Sequence, residues 1–262
     1  MRVSGINLHP VKSTAIRPVE QAYAGRAGLV GDREWMVVDE GGAMVSAREL
    51  PRLFTIVADP VDEGLCLTAP GIARSLVRRP VGGEEVSVSI FGKEPFSARS
   101  AGADADRWLT AALGRGGLRL VWCADPALRR VSRAWGGAQV AFQDASAVSL
   151  ASTTSMARLN AWMEEDLPVQ RFRANLIVDG VEEAFAEDGW SRLRIGEAVL
   201  RAEGPISRCV MTTIDPTTLE RGKDPIRTLA RHRRWDGATW FAVHTMVAQQ
   251  GRIAVGDEIV PE

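Results

Sequence analysis

The fold class follows from residues 54–92, which read "FTIVADPVDEGLCLTAPGIARSLVRRPVGGEEVSVSIFG". The segments "FTIVADP", "LCLTAP" and "EEVSVSIFG" are short, contain β-branched residues, and are bounded by Gly, Pro or Asp, as strands often are. The turns "DEG" and "VGGEE" separate these segments. Short strands at such close spacing predict an antiparallel barrel or sandwich.

The same pattern of short strands continues on both sides of this stretch. "EWMVVDE" precedes it, and "GLRLVWCAD", "RFRANLIVDG" and "WSRLRIGEAVLRAEG" follow it. Helical spacing of apolar residues appears in "AGADADRWLTAALG", in "SLASTTSMARLNAWMEED" and in "DPIRTLARHRR". We therefore predict a mostly β, α+β fold with a few helices, in two tightly joined parts.

The composition excludes several classes of protein. The 262 residues carry a formal net charge of −1, which gives no overall attraction to nucleic acid or to an anionic membrane. No apolar run approaches the roughly 20 residues of a transmembrane helix, and no secretory signal follows Met1. The three cysteines are far apart, without zinc spacing or a disulfide framework. We expect a cytoplasmic protein in a reducing compartment.

One cysteine stands in an unusual setting, in "GPISRCVMTTIDP" at residues 204–216. Arg208 precedes Cys209, and a nearby cation favours the thiolate. Neighbouring residues of a strand point to opposite faces, so Arg208 acts on the thiol only if the chain bends near Gly204 and Pro205. From the residues alone, Cys209 is a core residue, a nucleophile or a ligand for a soft metal. Cys66 and Cys123 lie in apolar strand patterns, which predicts that both are in the core.

Several dispersed elements have the chemistry of anion binding. Each also has a simpler interpretation: a solvated loop lysine, an Asp–Arg ion pair, or a capped helix. The segment Arg129–Asp144 is rich in arginine and is predicted to border a pocket. Together with Cys209, these elements suit a phosphorylated cofactor whose reactive atom needs a thiolate, or the phosphorylated substrate of a cysteine enzyme. The candidates are Lys12 and Ser13 in a loop, Arg33 before a strand, Arg171, Arg173 and Asn175 on one face of a predicted strand, and Ser152, Thr153, Thr154 and Ser155 at a helix start.

The segments "HPVKS", "GLVGDREWMVVD", "RFRANLIVDG" and "RCVMTTIDP…DPIRTL", in this order, resemble the MOSC superfamily, the molybdenum cofactor sulfurase C-terminal domain. The resemblance is strongest to the branch that contains the mitochondrial amidoxime-reducing component and its bacterial relatives, and it covers nearly the whole chain. It implies an N-terminal MOSC β-barrel domain over residues 1–122, packed on a MOSC β-barrel domain over residues 123–262.

The resemblance also implies a molybdenum–molybdopterin cofactor with Cys209 as the molybdenum ligand. Two departures from the family stand near the implied site: Ala174 replaces the proline of "RFRPN", and "TTLERG" replaces a Thr-Gly after "TTIDP". Asp215 is implied to form a hydrogen bond near the metal or to brace its loop. The residues implied to hold the pterin or its phosphate are Lys12, Ser13, Arg33, Ser152, Thr153, Thr154, Ser155, Arg171, Arg173, Asn175 and Arg208.

The implied activity is the removal of oxygen from N-hydroxylated or related N–O or S–O small molecules. We find no flavin, iron–sulfur or zinc motif in the chain, so we expect a separate electron donor, a ferredoxin or a small haem protein with a reductase. The alternatives are a sulfur carrier with a persulfide on Cys209, a protein that binds and delivers molybdenum cofactor, and a hydrolase or binding module for phosphorylated ligands with a structural Cys209.

Overall fold

A computed structural model describes residues 1–126, 129–131, 137 and 139–262. Strands form most of its regular structure, which confirms the predicted class. The strands are β1 Arg2–Leu8, β2 Arg17–Val19, β3 Gln21–Gly25, β4 Gly28–Leu29, β5 Trp35–Asp39, β6 Val57–Val61, β7 Gly64–Ala69, β8 Ile72–Arg78, β9 Glu85–Val88, β10 Phe96–Ser100, β11 Leu118–Trp122, β12 Val148–Ser152, β13 Leu176–Asp179, β14 Arg192–Ile195, β15 Ala198–Ser207, β16 Arg234–Trp235, β17 Ala238–Gln249, β18 Gly251–Ala254 and β19 Ile259–Pro261.

Helices are short and few within the described residues. The α-helices are α1 Ala103–Leu113, α2 Thr153–Asn160 and α3 Ile226–His232, and 3-10 helices span Pro51–Thr55, Val169–Phe172, Ala186–Gly189 and Val210–Thr213. Across the residues that the structure describes, no helix has the length and apolar character needed to cross a membrane. The loop predicted to border a pocket, Arg129–Asp144, falls partly outside those residues.

The largest sheet has nine strands, in the order β19-β14-β15-β17-β12-β13-β1-β2, with β16 paired to β17. Its pairs are antiparallel except for β12 and β13, which are parallel. β1 pairs with β13, where Ile6 faces Leu176, and β3 pairs with β18. The first strands of the chain therefore pair with strands of its second half. The predicted division between residues 122 and 123 stays a prediction.

Two smaller sheets, β5-β11-β10-β9 and β6-β7-β8, pack with α1 in the first half of the chain. β5 is buried on both faces because its first four residues, 35–38, are all apolar. Trp35 and Val37 face one core cluster, whereas Met36 and Val38 face another, as the two-residue period of a strand requires. α1 ends where it was predicted to end, at Gly114, which adopts a left-handed backbone with φ 67°.

Candidate functional site

A cleft of about 310 Å³ brings together many of the candidate side chains that are far apart in the sequence. Loops from the first half of the chain, the end of β15 and the middle of β17 meet there. Most of the predicted site residues line this cleft, and they come from several separate elements of the fold. They are Lys12, Ser13, Arg33, Arg171, Arg173, Asn175, Arg208 and Cys209.

Cys209 lies just beyond the end of β15 and is exposed, which excludes the core interpretation. The chain does not bend out of the sheet at Gly204 and Pro205. β15 runs on through Gly204, which has φ 93°, and its pairing with β17 shifts register instead. The chain leaves the sheet after Ser207, and Cys209 precedes the 3-10 helix Val210–Thr213. The Arg48 Nη2 group donates a hydrogen bond to Cys209 Sγ at 3.2 Å.

The other two cysteines differ from Cys209 and from each other. Cys123 is buried, as predicted, and its burial raises the pKa of its thiol to about 12. Cys66 in β7 is only half-buried, so the prediction that it belongs to the core is correct only in part. Neither cysteine lines the cleft, and Cys209 is the one thiol positioned for chemistry there.

The cleft is strongly cationic. Burial lowers the pKa of Arg173 to about 9, with a further contribution from the charge of Arg33. Burial also lowers the pKa of Arg208 to about 10. Among the described residues, Arg171 Nε, Arg173 Nη2 and Arg208 Nε are buried without a hydrogen-bond partner. Because an unpaired buried donor is costly, these N–H groups are suited to receive an anion.

Lys12 is not a solvated loop lysine, because its residue is 5% exposed. Its Nζ donates to the carbonyl oxygen of Phe142 at 2.7 Å and forms an ion pair with Asp144. Burial lowers the pKa of Lys12 to about 8, although the charge of Asp144 opposes this shift. Arg48 lies on the other side of Asp144, with Nη2 3.6 Å from Oδ2. A line of charges thus joins Lys12 through Asp144 and Arg48 to Cys209.

Three residues of the cleft have a left-handed backbone conformation, which residues other than glycine rarely adopt. The φ angles are 71° at Ser13, 51° at Arg33 and 54° at Arg173. Such residues cost of order 1–3 kcal/mol each and persist where the surrounding structure holds them, typically at functional sites. Their presence together in one cleft independently marks it as a site.

The prediction that Arg171 and Arg173 share a strand face is wrong. The 3-10 helix Val169–Phe172 contains Arg171, Arg173 follows it with its left-handed backbone, and β13 begins only at Leu176. This turn directs both guanidinium groups into the cleft. Asn175 is buried beneath them, where its Oδ1 accepts from the Ser149 backbone N–H at 3.1 Å.

The structure contains an ion pair between Asp32 and Arg33, which was the simpler interpretation of Arg33. Arg33 Nη1 donates to Asp32 Oδ2 at 2.5 Å, and the His9 backbone N–H donates to Asp32 Oδ1 at 2.8 Å. Burial alone would raise the pKa of Asp32, but the charge of Arg33 and a hydrogen bond with the His9 side chain hold it below its usual range. Arg33 also lines the cleft, so this pair fixes a cleft cation from below.

The structure does not bring the hydroxyl groups of residues 152–155 to the cleft. Ser152 caps α2 by accepting from the Thr154 and Ser155 backbone N–H groups. Thr153 donates to Asp179, Thr154 to the carbonyl oxygen of Val181, and Ser155 to Glu187. Capping accounts for Ser152, and hydrogen bonds to neighbouring segments account for Thr153, Thr154 and Ser155, so none of the four belongs to the cleft.

Asp215 braces its own loop. Its Oδ1 accepts from the backbone N–H groups of Thr217 at 2.8 Å and Thr218 at 2.9 Å. Its Oδ2 pairs with Arg171 Nη2 at 2.7 Å. Asp215 lines a second cleft on the other side of Arg171, not the cleft of Cys209. Of its two implied roles, the geometry favours bracing, and Asp215 acts on the cleft through Arg171.

Sequence reasoning missed several residues of the cleft, above all Arg48. An isolated arginine in "SAREL" carries no pattern. In the structure, Arg221 Nη2 donates to the Arg48 carbonyl oxygen at 2.7 Å. Phe91, Lys93, Gln143 and Asp144 also line the cleft, the last two from the predicted loop. His244 lines it too, whereas His232 is exposed on α3 and His9 is buried beside Asp32.

Two buried histidines predict a loss of stability in mild acid. Burial and the charges of Arg33 and Arg173 lower the pKa of His9 to about 3, and burial lowers that of His244 to about 4. Below the unfolded value of 6.5 the unfolded chain binds these protons and the folded chain does not. The free energy of unfolding should therefore fall as the pH drops from 6.5, by up to about 1.4 kcal/mol per pH unit for each histidine.

Urea titrations at several pH values measure this slope. The His9→Gln variant should show a shallower slope between pH 6.5 and 4.5, whereas His232→Gln, at an exposed position, should keep the slope of the wild type. Equal slopes in all three proteins would contradict the prediction.

Comparisons with known proteins give two matches that together span most of the chain. A family model for the MOSC N-terminal beta barrel domain matches residues 1–116, and one for the MOSC domain matches residues 137–260. The mitochondrial amidoxime-reducing component 1 of Xenopus laevis is 32% identical over 98% of this chain and 81% of its own length. The mitochondrial amidoxime reducing component 2 of Rattus norvegicus is 31% identical over 98% of this chain and 82% of its own length.

Proposed function

Because the chain belongs to the MOSC family, we propose that it is a molybdenum-cofactor-dependent reductase of N-hydroxylated or related N–O and S–O compounds. The relatives are named for the reduction of amidoximes, which are N-hydroxylated compounds. The observation that carries the proposal is the cleft itself, where the exposed Cys209 thiol shares a wall with buried guanidinium N–H groups that have no partner among the described residues.

The residues present fit a phosphorylated cofactor that carries a soft metal. Thiolate is a preferred ligand for such metals, and Cys209 is placed to supply one. The described residues contain no group of three or more His, Cys, Asp or Glu side chains that could hold a metal. In the proposed site, the other ligands would come with the metal, as they do in an organic cofactor. Arg171, Arg173 and Arg208 would hold its phosphate and pterin groups.

The bound cofactor would supply two-electron oxygen transfer, and the side chains of the cleft would hold and orient it. Arg48 donates to the sulfur of Cys209, and such hydrogen bonds tune metal–thiolate centres. Lys12 Nζ, with its pKa lowered to about 8, holds a proton at neutral pH. Phe91 and Lys93 line the cleft on the side of the first half of the chain and would contact the substrate.

We further propose that two electrons per turnover come from a separate protein, a ferredoxin or a small haem protein with a reductase. Removal of oxygen from an N-hydroxyl group consumes two electrons and two protons and releases water. The sequence supports a separate electron donor, because it contains no flavin or iron–sulfur motif.

Metal analysis after expression in a host that makes molybdenum cofactor tests the proposal. We expect about one molybdenum per chain, as one thiolate ligand per cleft implies, and turnover of an N-hydroxylated amidine with chemically reduced viologen. Absence of molybdenum together with a cyanide-labile sulfur on Cys209 would favour the sulfur carrier. Bound molybdenum without turnover would favour a delivery protein. Turnover with NADH alone would contradict the separate donor.

Arg48 provides a finer test, because its hydrogen bond to Cys209 is broken in the Arg48→Met variant. Loss of a partner next to a metal ligand typically costs 10–100-fold in affinity or activity. We expect about tenfold or greater loss of viologen-driven turnover, together with an altered Mo(V) EPR spectrum. Arg74→Met, on the exposed part of β8, is the matched control. An unchanged spectrum and rate for Arg48→Met would show that the hydrogen bond is dispensable.

A further inference from the structure

A basic surface lies on α3 and on the hairpin of β16 and β17. Residues 226–240 contain four arginines and one aspartate, Asp236, in a chain whose net charge is −1. Two of these arginines are neutralised, Arg227 by Asp224 and Arg233 by Asp188. Arg231 and Arg234 are exposed and have no ion pair with any described residue. The surface thus carries two positive charges that no ion pair with a described residue balances.

Two tryptophans lie beside these arginines. Trp235 is 39% exposed, although it is a large apolar side chain. It stacks on Trp240 with ring centroids 5.6 Å apart, and the Arg233 guanidinium is 4.8 Å from the centre of its ring. The Trp240 Nε1 group donates to the Trp235 carbonyl oxygen at 2.9 Å. The pair is therefore held rigidly at the surface, and exposed Trp and Arg together are typical of the residues that dominate protein–protein binding.

The same hairpin is joined directly to the cleft. Trp240 in β17 faces Ser207 in β15, and the Arg208 backbone N–H donates to the Thr239 carbonyl oxygen at 2.8 Å. Arg208 is covalently bonded to Cys209. One hydrogen bond and a short run of covalent bonds therefore connect the surface tryptophan pair to the candidate metal ligand.

Aromatic packing fills the space behind this connection. Phe241, the residue after Trp240, stacks on Phe172 with centroids 3.9 Å apart, and the Arg208 guanidinium lies 5.2 Å from the centre of the Phe172 ring. Phe172 lines the cleft. The path from the surface to the cleft thus runs through packed side chains and backbone without crossing solvent.

We propose that the tryptophan–arginine patch, defined as Arg231, Arg234, Trp235 and Trp240, is the docking surface for a small acidic protein that carries one electron. This inference rests on the function proposed above, which needs electrons from outside the chain. The carrier is oxidised by one electron at each docking, and two dockings supply the two electrons of one turnover, while the two protons come from water. The tryptophans are not themselves oxidised, since the electron passes through the intervening bonds. The free positive charge selects an acidic partner.

Binding measurements on the cofactor-free chain test the docking surface apart from any catalysis. The probe is an acidic plant-type [2Fe–2S] ferredoxin, titrated by calorimetry at low ionic strength. We expect binding that weakens with added salt and a Kd about tenfold or more higher for Trp235→Ala and for the double variant Arg231→Glu, Arg234→Glu. The matched controls are Leu76→Ala and Arg74→Glu, at exposed positions of β8, which should bind as the wild type does.

Several outcomes would overturn the proposal: no binding of the wild type, equal binding by the patch variants, or equal loss in the β8 controls. A concentration-dependent dimer of the wild type that the patch variants abolish would instead assign the surface to a second copy of this chain. With the cofactor bound, ferredoxin-driven turnover should fall in the patch variants while viologen-driven turnover stays unchanged. If the wild type lacks molybdenum, the proposed function fails, but the binding experiment still decides the docking surface.

Discussion

In the Cys209→Ser variant, the molybdenum content per chain should fall at least about tenfold, and the rate of viologen-driven turnover at least about a hundredfold. Losses on this order are expected when a direct metal ligand is removed. Serine keeps the size of the side chain but replaces a soft thiolate with a hard hydroxyl that is not ionised at neutral pH. The fold should be unaffected, because Cys209 is exposed and, within the described part of the chain, its side chain forms one hydrogen bond, from Arg48. Its free energy of unfolding should change by no more than about 0.5 kcal/mol.

Cys66→Ser is the matched control for this variant. Cys66 is half-buried in β7 and does not line the cleft, so the variant should retain its metal and its turnover. Elemental analysis, steady-state kinetics and urea denaturation of both variants separate a lost ligand from a damaged fold. A Cys209→Ser protein with full molybdenum and full turnover would remove Cys209 from the metal and the proposed mechanism with it.

The strands could be predicted from sequence because burial imposes a period of two. In β9, Val86 and Val88 are buried and Glu85 and Ser87 are exposed, so the β-branched residues that predicted this strand occupy its buried face. β15 continues through Gly204 and Pro205, although both residue types disfavour a regular strand. There β17 runs alongside β15 for almost its whole length, and the sheet accommodates both residues as register shifts. Tertiary pairing outweighed the local preference of the two residues.

The site could be predicted where its residues share a motif, but not where the chain turns unexpectedly. Arg173 adopts φ 54°, and no residue-level rule assigns a left-handed backbone to arginine. Arg48 could not be found, since it meets Cys209 from 161 positions away. Conversely, the hydroxyls of residues 152–155 matched both a capped helix and an anion site, and in the fold the helix and its neighbouring strands use them.

The cations of the cleft need support from beneath, because Arg33 and Arg173 repel each other in a buried setting. Asp32 supplies the countercharge. It is 1% exposed, and it accepts from the His9 backbone N–H and from Arg33. If the cleft binds the anionic cofactor proposed above, its cations depend, before that cofactor binds, on one buried carboxylate of the protein itself.

The Asp32→Ala variant should therefore lose about 3–5 kcal/mol of unfolding free energy, the usual cost of breaking a buried ion pair by removing one partner. Without Asp32, the guanidinium groups of Arg33 and Arg173 and the backbone N–H of His9 would have no carboxylate beside them. The matched control is Glu63→Ala, because Glu63 pairs with Arg78 at the surface, where the two side chains are 73% and 85% exposed. That variant should lose no more than about 1 kcal/mol. Urea denaturation of the cofactor-free proteins measures both, and equal losses would show that Asp32 does not support the cleft.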